Sequence, residues 1–221
     1  AETPRGDVRA IDSPPMLPDA LTAIALGALL GLRHATDADH VVAVTAIASR
    51  EQSLGRAAWI GALWGIGHTL TLVVVGGAIV AFRLVIPPRV GLRLEFGVAL
   101  MLILLGFANL RASDGAPRER AAARPFLVGL VHGLAGSAAV ALLVLATIRG
   151  TVEALAYLFV FGVGTIAGMV AVTVLLAAPA IYAGARVTRF QSGIRLAAGA
   201  LSIAFGLLLA RELIVEGGIF S

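Results

Sequence analysis

The stretch 20–48 reads ALTAIALGALLGLRHATDADHVVAVTAIA. Its two ends, 20–32 and 41–48, are apolar, whereas Arg33-His34-Ala35-Thr36-Asp37-Ala38-Asp39-His40 between them is not. A helix needs about 20 apolar residues to cross a bilayer core, so neither piece spans alone. The simplest arrangement is one long helix, bent or locally opened in the membrane, with its polar centre facing protein rather than lipid.

The rest of the chain fits that reading. Of 221 residues, 59% are hydrophobic and 14% charged, and the mean hydropathy is +0.96. A water-soluble globule cannot hide so much apolar surface. Six apolar segments are expected, near 17–49, 56–84, 92–110, 125–147, 152–178 and 191–214. The fold class is therefore an all-α polytopic membrane protein with six transmembrane helices. Residues 1–15 carry mixed charge and proline and predict a polar mobile tail. The chain opens on Ala1 rather than methionine, as either removal of a leader or an artificial boundary would leave it. The expected units are 16–111 and 125–216, joined by a charged connecting loop at 112–124.

The two units resemble each other. GLRHATDADHVVAV around His34 aligns with GLVHGLAGSAAVAL around His132, and Trp64-Gly65-Ile66-Gly67 aligns with Phe161-Gly162-Val163-Gly164. Gly91-Leu92-Arg93 with Gly97 likewise aligns with Gly193-Ile194-Arg195 with Gly199. Three matches in order at nearly one spacing argue for a duplicated three-helix unit. An odd number of crossings per unit inverts the second, which is the inverted-repeat plan of secondary transporters.

Composition removes several chemistries. With no cysteine there are no disulfides, thiolate metal sites or iron–sulfur clusters. All 17 basic residues are arginine, so there is no phosphate-loop lysine and no Schiff base. Most arginines lie in turns between apolar runs, where they orient the chain and meet lipid headgroups rather than nucleic acid. Their distribution leans towards both termini lying outside a cell inner membrane.

His34, His40, His68 and His132 are the only histidines, and all lie in apolar segments. One buried histidine is ordinarily a hydrogen-bonded packing residue. Four, two of them beside Asp37 and Asp39, are costly in a bilayer and mark an internal pathway or partner. On a continuous helix His34, Asp37 and His40 form one slanting stripe, while Asp39 points elsewhere unless the helix opens. Two imidazoles and a carboxylate give part of a transition-metal site, to be completed from a neighbouring helix. The structural alternative has Asp37 paired with Arg33 and Asp39 capping a broken helix half. It accounts for the aspartates but not the histidines. His68, in Gly65-Ile66-Gly67-His68-Thr69, falls near mid-membrane. His132 stands where His34 does in the first unit, but Ala135, Ser137 and Ala138 replace Asp37, Asp39 and His40. It reads equally as a ligand or as packing. The pairs Gly27/Gly31, Gly61/Gly65, Gly129/Gly133 and Gly164/Gly168 predict tight internal packing rather than a dimer face.

His34-Ala35-Thr36-Asp37-Ala38-Asp39-His40 resembles the H-x4-D-H signature of the nickel/cobalt transporter (NiCoT) family, and Gly67-His68-Thr69 resembles its second signature. The resemblance implies that His34, Asp39 and His40 handle metal, with Asp37 and His68 close behind. It covers the first two helices. Many members have eight spans and a later Asp-Thr-Ala-Thr-Glu segment, where this chain has His132-Gly133-Leu134-Ala135-Gly136-Ser137. The chain thus resembles a shorter branch of a superfamily that also contains exporters.

The expected function is a permease for Ni²⁺ or Co²⁺ acting in uptake, with the ion as cargo and no resident cofactor. The candidate metal residues are His34, Asp37, Asp39, His40, His68 and His132. Export by the same fold is the alternative within that class. A membrane metalloenzyme or a proton channel are readings of other classes, the former weakened because no H-E-x-x-H occurs. Metal binding requires neutral imidazoles, so acid opposes it.

Overall fold

The computed structural model describes residues 17–49, 51, 53–82, 87–111, 123–134, 145, 148, 150–184, 188–215, 217 and 219. The expected tail at 1–15 and most of the loop at 112–124 lie outside them. Among the described residues the chain is all-helical, with seven helices: α1 (Leu17–His34), α2 (Ala38–Ala48), α3 (Leu54–Phe82), α4 (Pro88–Arg111), α5 (Ala123–Gly133), α6 (Thr151–Gly184) and α7 (Thr188–Val215).

Helices α3, α4, α6 and α7 are long and apolar enough to cross a membrane. The 29 residues of α3 extend about 43 Å, against about 30 Å of bilayer hydrocarbon. Their outer faces suit that setting, since Leu104, Leu175, Phe159 and Leu208 are all more than 60% exposed. The protein is a membrane protein. α6 runs past Pro179 to Gly184, beyond the expected end near 178. Transmembrane helices tolerate proline where neighbouring groups satisfy the freed carbonyl.

The first apolar segment is two helices. α1 stops at His34, where Thr36 N and Asp37 N donate to the Arg33 and His34 carbonyls at 2.9 and 3.1 Å. Thr36 Oγ1 also donates to Arg33 O, at 2.6 Å. These bonds satisfy carbonyls that a helix end leaves open. Asp37 then occupies the N-cap position of α2 in extended conformation, and Asp39 lies in the first turn, where a carboxylate favours the helix dipole. The expected opening of the chain at the polar octet is therefore a three-residue break.

α2 is the buried centre of the bundle. It packs against α3, α4, α6 and α7. Val42, Ala43, Val44 and Ile47 join Ile60, Trp64, Val98, Leu102, Val128 and Met169 in the main core. Its far end is tied down by Asn109, whose Nδ2 donates to Ser49 Oγ at 3.3 Å and to the Arg195 carbonyl at 3.0 Å.

Four helix pairs carry the remaining packing: α3 with α6, α4 with α7, α1 with α6 and α3 with α5. Small residues set their approach. The glycines of all four expected GxxxG pairs face another helix of the same chain. A Cβ on Gly31 would collide with the Phe161 carbonyl, and one on Gly129 with the Trp64 carbonyl. Backbone cannot yield as a side-chain tip can, so Gly31→Ala should cost on the order of 1–3 kcal/mol. Gly77 has nothing within 4 Å of such a Cβ. Gly77→Ala should instead be neutral, or stabilising by up to about 1 kcal/mol through helix propensity. Melting temperatures of the two variants in detergent check this. Equal values would mean that α1 and α6 do not approach as described.

Candidate metal centre

Four helices bring the histidines to one place. His34 ends α1, His40 lies in the first turn of α2, and His132 is the penultimate residue of α5. His68 is the middle residue of α3, with as much helix before it as after. All four are buried, His40, His68 and His132 completely. The break after His34 is what allows this. It turns α2 into the bundle, so that the His34 and His40 ring centroids lie only 4.6 Å apart.

Within the cluster, His34 Nε2 is 3.0 Å from His68 Nε2. Two imidazole nitrogens held about 2.0–2.1 Å from one divalent ion lie roughly 3 Å apart when adjacent in its coordination sphere. His34 Nδ1 donates to Asp37 Oδ2 at 2.8 Å, which puts the proton on Nδ1 and leaves the Nε2 lone pair facing His68. His40 repeats the arrangement, with Nδ1 3.1 Å from Asp39 Oδ1 and Nε2 without a hydrogen-bond partner. Both carboxylates thus fix ring tautomers, the role that carboxylates take beside metal-bound histidines. His34, His40 and His68 offer ligand atoms that all lie within 4.8 Å of one another.

Asp39 is not the cap of α2 but a partner of two rings. Its Oδ1 also accepts from the His40 backbone N–H at 3.0 Å, and its Oδ2 accepts from His132 Nε2 at 2.8 Å. Asp39, His40 and His132 form a second group with ligand atoms within 4.8 Å. The capping position itself belongs to Asp37, whose side chain makes no cap bond and instead accepts from His34. Asp37 therefore faces His34, not Arg33.

A packing role leaves the ring nitrogens unexplained. Among the described residues, His40 Nε2, His68 Nδ1 and His132 Nδ1 are buried with no hydrogen-bond partner, whereas buried polar groups are nearly always satisfied. Buried imidazoles grouped around His40, with two carboxylates beside them, are a donor set that suits a Ni²⁺, Co²⁺, Cu²⁺ or Zn²⁺ ion.

All six candidate residues come together here. Two neighbours were not singled out from sequence as part of the site. Trp64 stacks on His40 with centroids 5.5 Å apart and meets His132 edge-on at 5.7 Å. Phe161 lies 5.6 Å from His34. Both were legible: Trp64 precedes His68 by one helical turn, and Phe161 is the residue aligned with Trp64 in the expected second unit.

Comparison with known proteins bears on this site. Over 220 residues the chain is 33% identical to the urease accessory protein UreH of Bacillus sp. (strain TB-90), with 91% of this chain and 96% of the relative covered. No protein-family profile matches the chain, and no solved structure does.

Proposed function

The chain belongs to the family of the urease accessory protein UreH, and from that premise we propose that it is a permease carrying Ni²⁺ or Co²⁺ across the cell inner membrane in the direction of uptake. The observation that carries the reading is the meeting of His34, His40 and His68 at the centre of a membrane bundle, with His40 Nε2 and His68 Nδ1 buried and without a hydrogen-bond partner among the described residues. The relative's name adds a second line of support. It is that of an accessory protein of urease, and nickel or cobalt is the cargo implied by the resemblance of the His34-to-His40 motif. His34, His40 and His68 hold the ion, Asp37 and Asp39 orient the rings and balance charge, and His132 extends the site towards the second half. Nothing in this role requires bond-making catalysis.

The transport step rests on a duplicated plan of six crossings, with α1 and α2 together forming the first and both termini outside. Exchanging α1 with α5, α3 with α6 and α4 with α7 maps the four principal helix pairs onto one another. Gly31 against Phe161 and Thr165 is answered by Gly129 against Trp64 and His68. α5, like α1, stops directly beyond its histidine. A site between two inverted halves opens to either side as the halves rock.

Ni²⁺ flux into vesicles of known sidedness tests the proposal. Wild-type vesicles should accumulate Ni²⁺ saturably from the outer face, and His34→Ala vesicles should stay at background. Equal flux in the variant would refute the site. Movement only outward would replace uptake by export.

A further inference from the structure

We propose that the cluster holds two overlapping ion positions that share the ring of His40 and are used in turn, so that the chain passes one ion at a time from the first half to the second. The inference rests on the permease reading above and adds a relay to it.

Two ligand groups are present, His34 with His40 and His68, and Asp39 with His40 and His132. Only His40 belongs to both. Its two ring nitrogens face different ways. Nδ1 is 3.1 Å from Asp39 Oδ1, on the side of the second group, which leaves the unpartnered Nε2 for His34 and His68. Ions bound to the two nitrogens of one imidazole, each at about 2 Å, would lie about 6 Å apart.

A neutral imidazole has one proton and one lone pair. With the proton on Nδ1, donated to Asp39, the Nε2 lone pair completes the first position. With the proton on Nε2, the Nδ1 lone pair faces Asp39 and His132 and completes the second. The change moves one proton between the two nitrogens of one ring, and the protein's charge is unaltered. A neutral His40 therefore serves one position at a time.

The positions differ in origin and chemistry. The first draws its ligands from α1, α2 and α3, all in the first half, and they are three neutral imidazoles. The second replaces two of these with the Asp39 carboxylate and with His132 from α5, in the second half. An ion crossing between them keeps His40, exchanges His34 and His68 for Asp39 of the same half, and gains His132 as its one ligand from the other half, as alternating access between halves requires. The Asp39–His132 hydrogen bond, 2.8 Å long, gives way to the ion as it arrives, and the proton on His132 Nε2 passes to Nδ1 of the same ring, so that the Nε2 lone pair is free for the ion.

Equilibrium dialysis of the purified full chain against Ni²⁺, paired with vesicle flux, tests this in wild type, His132→Ala and His132→Gln. Glutamine retains a donor for Asp39, so it separates loss of the ligand from loss of folding. The expected result is one Ni²⁺ per chain at saturation in wild type, affinity within a few-fold of it in both variants, and flux reduced by about 10-fold or more. Two Ni²⁺ per wild-type chain would overturn the alternation. Wild-type flux in both variants would overturn the relay, and so would loss of binding in both, which would make His132 a ligand of a single site. A wild-type chain that neither binds nor carries Ni²⁺ would remove the permease reading itself.

Discussion

His68→Ala should lower the affinity of the purified protein for Ni²⁺ by more than about 100-fold. Losing only the partner that orients a metal-bound histidine costs about 10–100-fold in affinity, and His68 is proposed as a ligand. Its Nε2 lies 3.0 Å from that of His34 at the midpoint of α3. His132 does not take its place, because it belongs to the second ligand group with Asp39 and His40, which on the relay adds no more than a few-fold to the affinity. The scaffold should survive the change. Around position 68, α3 and α5 are held by backbone approaches, with Gly67 against Phe126 and Gly129 against Trp64, and by Thr71 Oγ1 donating to the Leu130 carbonyl at 3.0 Å. Equilibrium dialysis reads the affinity, and a melting curve without metal reads the scaffold. An unchanged affinity would return His68 to a packing role.

Asp39→Asn should weaken Ni²⁺ binding by about 10–100-fold while leaving the side chain's size unchanged. Asp39 accepts three hydrogen bonds, from the His40 backbone, His40 Nδ1 and His132 Nε2. Asparagine has one acceptor oxygen and an amide that only donates. Its amide would face an imidazole N–H, and relief requires one ring to move its proton. If that ring is His40, the Nε2 lone pair is lost to the ion. A buried donor left facing a donor costs about 1–3 kcal/mol, a range that spans about the same loss. Asp37→Asn should cost less, since its side chain is 37% exposed against 16% for Asp39 and water can replace what it gives up. Dialysis of the two variants side by side checks the order. Reversal would make Asp37 the governing carboxylate.

Long apolar runs show the spanning helices in sequence because the bilayer demands them, and α3 begins and ends within two residues of the expected 56–84. The octet 33–40 also announced that the first segment opens, since no lipid-facing helix carries such residues at its centre. Which face is inside is far harder to read. Leu102 is fully buried and Leu104 is 68% exposed, yet both are leucines in one helix, because lipid is as apolar as the core. Glycine spacing was the better guide, for backbone contact needs small residues whatever the solvent. The burial of α2 could not be read for the same reason. The pairing of Asp39 with His132 joins residues 93 positions apart. Local periodicity is blind to such a contact, and only the repeat alignment, which set His132 beside His34, hinted at it.

The central claim is that His34, His40 and His68 bind the transported ion through their ring nitrogens. X-ray absorption at the nickel edge, on purified protein loaded with one Ni²⁺ per chain, tests it most directly. The expected spectrum shows imidazole nitrogens at about 2.0–2.1 Å, with the outer-shell scattering of three rings and a loss of that signal in His68→Ala. A shell of oxygen ligands only, the same in wild type and His68→Ala, would contradict it.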